Sequence, residues 1–256
     1  QTFSPGGGAS PALFRGPGRT EIGGNHTDHQ HGHVLCGSVD LDMLACAAPN
    51  GETTIRILSE GYPALEVELD ELLPRESERN TSAALVRGVA ARTAELGWAV
   101  GGFDAYITSN VLSGSGLSSS AAYEVLVGNI LNCFFCGGAL TAVDIAKIGQ
   151  YAENVYFGKP CGLMDQMGSA VGGAVAIDFA DPADPVVRKV GYDFSRSGHA
   201  LCIVDTGSCH ADLTDDYADI TREMGAVAAH FGKQVLREVP EADFRAALPS
   251  LRVRCG

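Results

Sequence analysis

Leu112-Ser-Gly-Ser-Gly-Leu-Ser-Ser-Ser-Ala-Ala-Tyr-Glu124 decides how this chain is read. Gly114 and Gly116 permit a tight turn with no side chain to obstruct an approaching ligand. Three serines follow, each able to cap a helix and offer a hydroxyl. From Ala121 to Phe134 the apolar residues Ala122, Leu126, Ile130 and Phe134 recur four apart, which predicts a helix. A glycine turn feeding a helix start aims free backbone N–H groups at one point with the helix dipole behind them. That is an anion site suited to phosphate. Composition alone leaves open a plain Gly/Ser loop before an ordinary helix.

Upstream, Gln1–Pro11 has no periodicity, and Ala12–Phe14 begins a short strand expected to end at Gly16-Pro17-Gly18-Arg19. Val34–Ala48 reads as a long strand buried on both faces. Asn50-Gly51 is a hairpin signal, with Thr53–Leu58 returning as partner. Leu65, Val67 and Leu69 alternate with acidic residues, as in a half-exposed strand. Helices are expected over Ser82–Leu96 and Thr141–Tyr156, the second stopping at Gly158-Lys159-Pro160. Further strands are Phe103–Thr108, Ala174–Phe179, Val186–Tyr192 and Ala200–Val204, and a helix starts near Asp212. Hairpins without a βαβ repeat make the class α+β rather than a Rossmann sheet.

A length of 256 residues allows one large domain or two modest ones. A net charge of −13 disfavours nucleic acid and anionic membranes as partners. Eight cysteines scattered among apolar neighbours read as reduced thiols of a cytoplasmic protein, with Cys133 and Cys136 as helix packing. No apolar run is long enough to span a bilayer, and the N-terminus lacks a signal-peptide core.

Two polar clusters remain. His26, Asp28, His29, His31 and His33 invite a metal reading, as in a His-rich metallohydrolase. Alternatively Arg19, Asn25, His26 and Asp28 wall a polyhydroxylated ligand. Asp165 stands in a stretch poor in other charges, where a solvated aspartate is the ordinary reading. Glu153 sits close to an apolar stripe, and with Ser120 and a phosphate it could hold magnesium.

The order of these stretches resembles one family. Gly18-Arg19 through His26-Thr27-Asp28 looks like the sugar-binding signature of galactokinases. Gly114-Ser-Gly-Leu-Ser-Ser-Ser-Ala-Ala122 resembles the phosphate motif of the wider GHMP kinases. Ala152-Glu153, Cys161-Gly-Leu-Met-Asp-Gln166 and Asp212–Tyr217 are similar to later family segments. The resemblance implies the GHMP kinase fold: a ribosomal protein S5 domain 2-like N-terminal domain over 1–192 and the start of a ferredoxin-like C-terminal domain over 193–256. It implies transfer of the ATP γ-phosphate to the anomeric hydroxyl of galactose. Asp165 would be the base and Arg19 its cationic partner. Gly114, Ser115, Gly116, Leu117, Ser118 and Ser119 would hold ATP, and Ser120 and Glu153 would hold Mg²⁺. Asn25, His26, Thr27, Asp28, Gly162 and Tyr217 would line the sugar, and a monomer is expected. Rival readings are a catalytically silent galactose/ATP sensor on the same fold and a kinase of a related galactose derivative.

Three departures stand out. Asn25 replaces a usual glutamate, Leu112 a common proline and Asn154 a common histidine. Nothing resembles the family's third glycine-rich motif. The chain is therefore expected to be the N-terminal kinase domain plus the start of the next, binding ATP weakly alone.

Overall fold

The sheet is laid along one 17-residue strand, β2 (His33–Pro49). The computed structural model describes residues 10–111, 114–193, 195–204 and 214–254. One edge of β2 pairs antiparallel with β1 (Ala12–Gly23). The other edge is shared: Met43–Pro49 takes β5 (Phe103–Ser109), and His33–Gly37 takes β6 (Ala174–Asp178). Beyond β5 lies β3 (Thr54–Ser59), parallel to it, and then β4 (Leu65–Glu68). Beyond β6 lies β7 (Val186–Val190).

Three sequence expectations are corrected here. β1 does not end at Gly16-Pro17-Gly18 but continues to Gly23, with a register shift between Pro17 and Arg19. A bulge is where a strand tolerates a residue without an N–H. Gly16 marks packing instead of a break: a Cβ there would stand 2.4 Å from the Ala122 carbonyl oxygen. β2 is not buried on both faces. Ala45 and Ala47 are buried, whereas Leu44 and Cys46 are exposed, because helices cover one face. Nor does Thr53–Leu58 return to β2, since β5 lies between them. The Asn50 amide bridges the opened turn, donating to the Thr54 carbonyl and to Asp104 Oδ1, both at 2.9 Å.

The helical layer comprises α1 (Ser82–Glu95), α2 (Ser119–Phe135), α3 (Ala142–Tyr151) and α4 (Met164–Val171). Thr81 caps α1, and Thr141 with Asp144 forms a capping box on α3. Leu126, Ile130, Ile148, Ile55 and Phe103 are fully buried between layers, each worth about 1.5–3 kcal/mol of burial. Cys136 joins this core while Cys133 is exposed, so only one of the pair packs as expected. The helix expected to reach Tyr156 stops being α-helical after Tyr151. It widens into a π-type turn over Ala152–Phe157 that ends at Gly158.

Ala200–Val204 forms no strand, and Leu201, Ile203 and Val204 lie exposed with no neighbouring strand to pair with among the described residues. Asp212 lies outside the described residues. Beyond it come α5 (Thr214–His230) and α6 (Glu241–Arg254). The architecture is α+β.

Candidate active site

Arg19 lies on β1 just past the bulge, and the loop entering α2 passes directly over it. The Arg19 N–H donates to the Leu117 carbonyl at 3.0 Å, and Nη1 donates to the Gly116 carbonyl at 2.7 Å. Gly114 and Gly116 both have positive φ, the conformation that lets the loop fold back this closely. The rest of the guanidinium grips Asp165 in the first turn of α4: Nε to Oδ1 at 2.7 Å and Nη2 to Oδ2 at 2.6 Å. The ordinary reading of Asp165 as a solvated aspartate is therefore wrong.

Ser118 precedes α2 in a left-handed conformation, φ 59°, which costs an L-residue about 1–2 kcal/mol. Its hydroxyl does not cap the helix. It donates to Asp165 Oδ2 at 2.6 Å, so the first N–H groups of α2 remain open to an anion. Burial pushes the Asp165 carboxyl up, but the Arg19 charge and the hydrogen bonds from Arg19 and Ser118 outweigh it and hold the group below the usual carboxylate range. Burial likewise opposes the Arg19 charge, and Asp165 outweighs it, leaving the guanidinium pKa raised.

Asp28 sits in the helical turn Thr27–Gln30 between two left-handed residues, His26 and His31. Its Oδ2 accepts the Met164 N–H at 3.1 Å, so a side chain of the sugar signature caps α4 from outside. Burial raises the Asp28 pKa, and this N–H partly opposes the rise. Gly162 is glycine because Asp28 lies against it: an added Cβ would fall 1.7 Å from Oδ2. The turn is fastened from the far end of the chain. The Leu236 N–H donates to Gln30 Oε1 at 3.0 Å, and Arg237 donates to the His31 carbonyl at 2.8 Å.

The histidines of this stretch diverge. His33 Nε2 lies 3.1 Å from Asp178 Oδ2 on β6, and His29 Nδ1 lies 3.9 Å from Asp28. Among the described residues no three His, Cys, Asp or Glu side chains converge on a metal position, so the metallohydrolase reading loses its basis.

Glu153, on the π-type turn, is 2% exposed. Its Oε1 accepts the Ser120 hydroxyl at 3.0 Å and lies 3.4 Å from Lys159 Nζ. A hydroxyl and a buried carboxylate oxygen are hard donors of the kind Mg²⁺ takes when phosphates and waters complete its shell, so the residues fit that ion. Sequence reasoning missed two residues behind Glu153. Glu124 and Gln166 are both wholly buried, with Gln166 Nε2 donating to each carboxylate. Glu124 looked like one more residue of α2; its burial inside an apolar helix face was the available signal.

Other expected residues are less tied in. Asn25 is exposed in a left-handed conformation, φ 54°. The His26 N–H donates to Glu21 Oε1 at 2.9 Å, and the Thr27 hydroxyl reaches the His33 carbonyl at 3.5 Å. Ser115 and Ser119 lie on the loop and at the start of α2, and the Leu117 side chain packs into the core. Asn154, where histidine is common, holds Cys161 by two hydrogen bonds, accepting its N–H at 2.7 Å and donating to its carbonyl at 3.3 Å. Tyr217 falls in α5, but its side chain, like Leu112, lies outside the described residues.

Known proteins match this arrangement. Residues 84–173 match the family described as GHMP kinases N terminal domain, and residues 1–49 match the galactokinase galactose-binding signature. A galactokinase of Streptomyces coelicolor is 35% identical over 247 residues, 95% of this chain and 63% of that protein. One of Streptomyces lividans is 34% identical over 93% of this chain and 59% of that protein. The chain thus spans less than two thirds of the length of these relatives. The fold matches Lactococcus lactis galactokinase crystallised with galactose at a TM-score of 0.75, with 22% identity, over 92% of this chain and 62% of that one. It also matches Methanococcus jannaschii mevalonate kinase at 0.62, with 17% identity, over 86% and 72%. Both signatures fall on one continuous site and the relatives align across nearly all of the chain, so its likeness is to the GHMP kinases and, within them, to galactokinases.

Proposed function

We propose that this chain carries the sugar and phosphate sites of an enzyme that moves the γ-phosphoryl group of ATP to the anomeric hydroxyl of galactose. The observation that carries the reading is the Arg19–Asp165 fork, completed by Ser118 and roofed by the glycine loop. Phosphoryl transfer asks a protein for positioning, charge neutralisation and an orienting base.

Asp165 takes the hydroxyl proton. Held below the usual carboxylate range, it is ionised but weakly basic, which suits a loose transition state where the proton leaves late. Arg19 keeps it ionised and faces the negative charge that develops on the transferring group. Backbone N–H groups from Gly114 to Ser119 receive the ATP phosphates, backed by the dipole of α2. Ser120 and Glu153 hold Mg²⁺, which when bound neutralises charge on the phosphates. Asn25, His26, Thr27, Asp28, Gly162 and Tyr217 line the sugar.

We assign 1–192 to the kinase N-terminal domain and 193–256 to the beginning of the next, and read the protein as a cytoplasmic monomer with small-molecule partners. Among the described residues no helix is long and apolar enough to cross a membrane. A coupled ADP assay on the full chain with a panel of hexoses, and phosphorus NMR of the product, tests the reading. Phosphate on the anomeric carbon of galactose is the expected result. Sugar binding without ADP release would favour the silent sensor instead.

A further inference from the structure

Of three buried side chains behind the glycine loop, Glu153 alone has a part in the chemistry described above. Gln166 and Glu124 are wholly buried and Glu153 nearly so. The Gln166 side-chain amide has two N–H groups, and both point at carboxylate oxygens: Glu124 Oε2 at 2.9 Å and Glu153 Oε2 at 2.8 Å. Two carboxyl groups in a dry interior are costly, and a core filled for stability alone would hold apolar residues of similar volume. Moreover the fit is incomplete, since Glu124 Oε1 and Gln166 Oε1 have no partner among the described residues.

The two oxygens of Glu153 are treated differently. Oε2 faces inward and is tied to Gln166. Oε1 faces the Ser120 hydroxyl at 3.0 Å and Lys159 Nζ at 3.4 Å. The terminal torsion of a glutamate is intrinsically broad, so an untied carboxylate would turn freely between these partners. One hydrogen bond from Gln166 removes that freedom, and Glu124 on α2 holds the other hydrogen of the same amide. Gln166 also follows Asp165 directly on α4, so its place is set by the helix that carries the proposed base.

We propose that Gln166, anchored by Glu124, is a positioning residue that locks the Glu153 carboxylate with Oε1 turned toward Ser120, ready to receive a divalent cation. The proposal rests on the reading of Ser120 and Glu153 as the cation's holders. Partners of ligating carboxylates in general shift metal affinity by about 10–100-fold when removed.

The test uses the full chain with Mn²⁺ as probe, the free ion followed by electron paramagnetic resonance in the presence of a non-hydrolysable ATP analogue. Galactose KM, the Mg²⁺ dependence of turnover and thermal melting are measured alongside. Gln166→Met keeps the volume and loses both N–H groups. It is expected to weaken Mn²⁺ binding about tenfold and raise the Mg²⁺ requirement equally, with galactose KM within about twofold of the parent. Glu124→Gln keeps an acceptor for Gln166 and is expected to stay within about threefold in Mn²⁺ affinity, whereas Glu124→Leu is expected to weaken it more. That pair decides the matter if Gln166→Met fails to fold. Unchanged Mn²⁺ affinity in a folded Gln166→Met, or in Glu124→Leu, overturns the proposal. So does a galactose KM that rises in step with the metal requirement, which marks general damage. If Ser120→Ala and Glu153→Gln bind Mn²⁺ as the parent does, the assignment of the cation site itself has failed.

Discussion

Replacing Asp165 by Asn should damage stability and catalysis together, and the structure gives the size of each. The side chains of Arg19 and Asp165 are 9% and 19% exposed, and two short hydrogen bonds join them. Asn keeps the shape but leaves the guanidinium without a counter-charge and turns an NH₂ toward Arg19 or Ser118. Breaking a buried pair from one side costs about 3–5 kcal/mol, and the partial exposure of Asp165 places this case near 3. For a chain of this size that lowers the melting temperature by about 6–12 °C. Loss of a general base removes about two to four decades of turnover. Thermal melting and a coupled ADP assay on the same preparation measure both. The double variant Arg19→Met with Asp165→Leu separates them, since it removes both charges: it should recover much of the stability and none of the activity. If Asp165→Asn melts with the parent and turns over galactose at a comparable rate, the fork is neither a buried pair nor the site of the base.

Other expectations follow from the same geometry. Because the Asp165 pKa is lowered on folding, its contribution to stability is present above the unfolded value of about 3.9 and is lost as pH falls through the lower folded value. Acid unfolding below about pH 4 should therefore be shallower in Asp165→Asn, and identical slopes would count against the pair. Gly162→Ala places a Cβ 1.7 Å from Asp28 Oδ2, so Asp28 must leave the α4 N-terminus. We expect a loss of about 1 kcal/mol or more from the cap and weaker galactose binding by calorimetry, and unaltered binding would remove Asp28 from the site. The Cys36 thiol is pushed up to about 12 by burial, so native alkylation at pH 8 should label exposed Cys46 and Cys133 and spare Cys36. Asn25→Glu puts a residue less suited to a left-handed backbone at φ 54°, costing about 1 kcal/mol. It should also narrow tolerance for deoxy-galactose analogues, and an unchanged order of preference among them would show that Asn25 does not set selectivity.

What could be read from the residues was local. The helix after the glycine loop, the start of α3 and the alternation in β4 each follow from neighbours within a few positions, and each is where the pattern put it. Motif order gave the family because fixed spacing survives when pairing is unknown. Pairing itself was not legible. Nothing in Asn50-Gly51 says that a strand 50 residues later will enter between its arms, and Pro17 looks like a stop unless the bulge is seen. The same holds at the site: Arg19 and Asp165 are 146 positions apart, so Asp165 read alone is an isolated carboxylate.

The three consecutive serines show why type and spacing were not enough. Ser118, Ser119 and Ser120 are equivalent as letters, yet Ser118 lies before the helix in a left-handed conformation and turns its hydroxyl to Asp165. Ser120, one residue into α2, turns its hydroxyl to Glu153. Successive residues of a helix point about 100° apart, and α4 uses the same fact. Asp165 faces Arg19 and Ser118, while Gln166 faces Glu153 and Glu124. Two helix starts thus meet with nearby residues matched, Ser118 and Asp165 at the proposed base and Ser120 and Gln166 around the proposed cation carboxylate. Asp28 caps the N-terminus of α4, so the turn that carries the sugar signature also fixes the helix on which both pairs depend. A shift of that turn would move Asp165 and Gln166 together, which would couple the proposed sugar wall to the proposed cation carboxylate through α4.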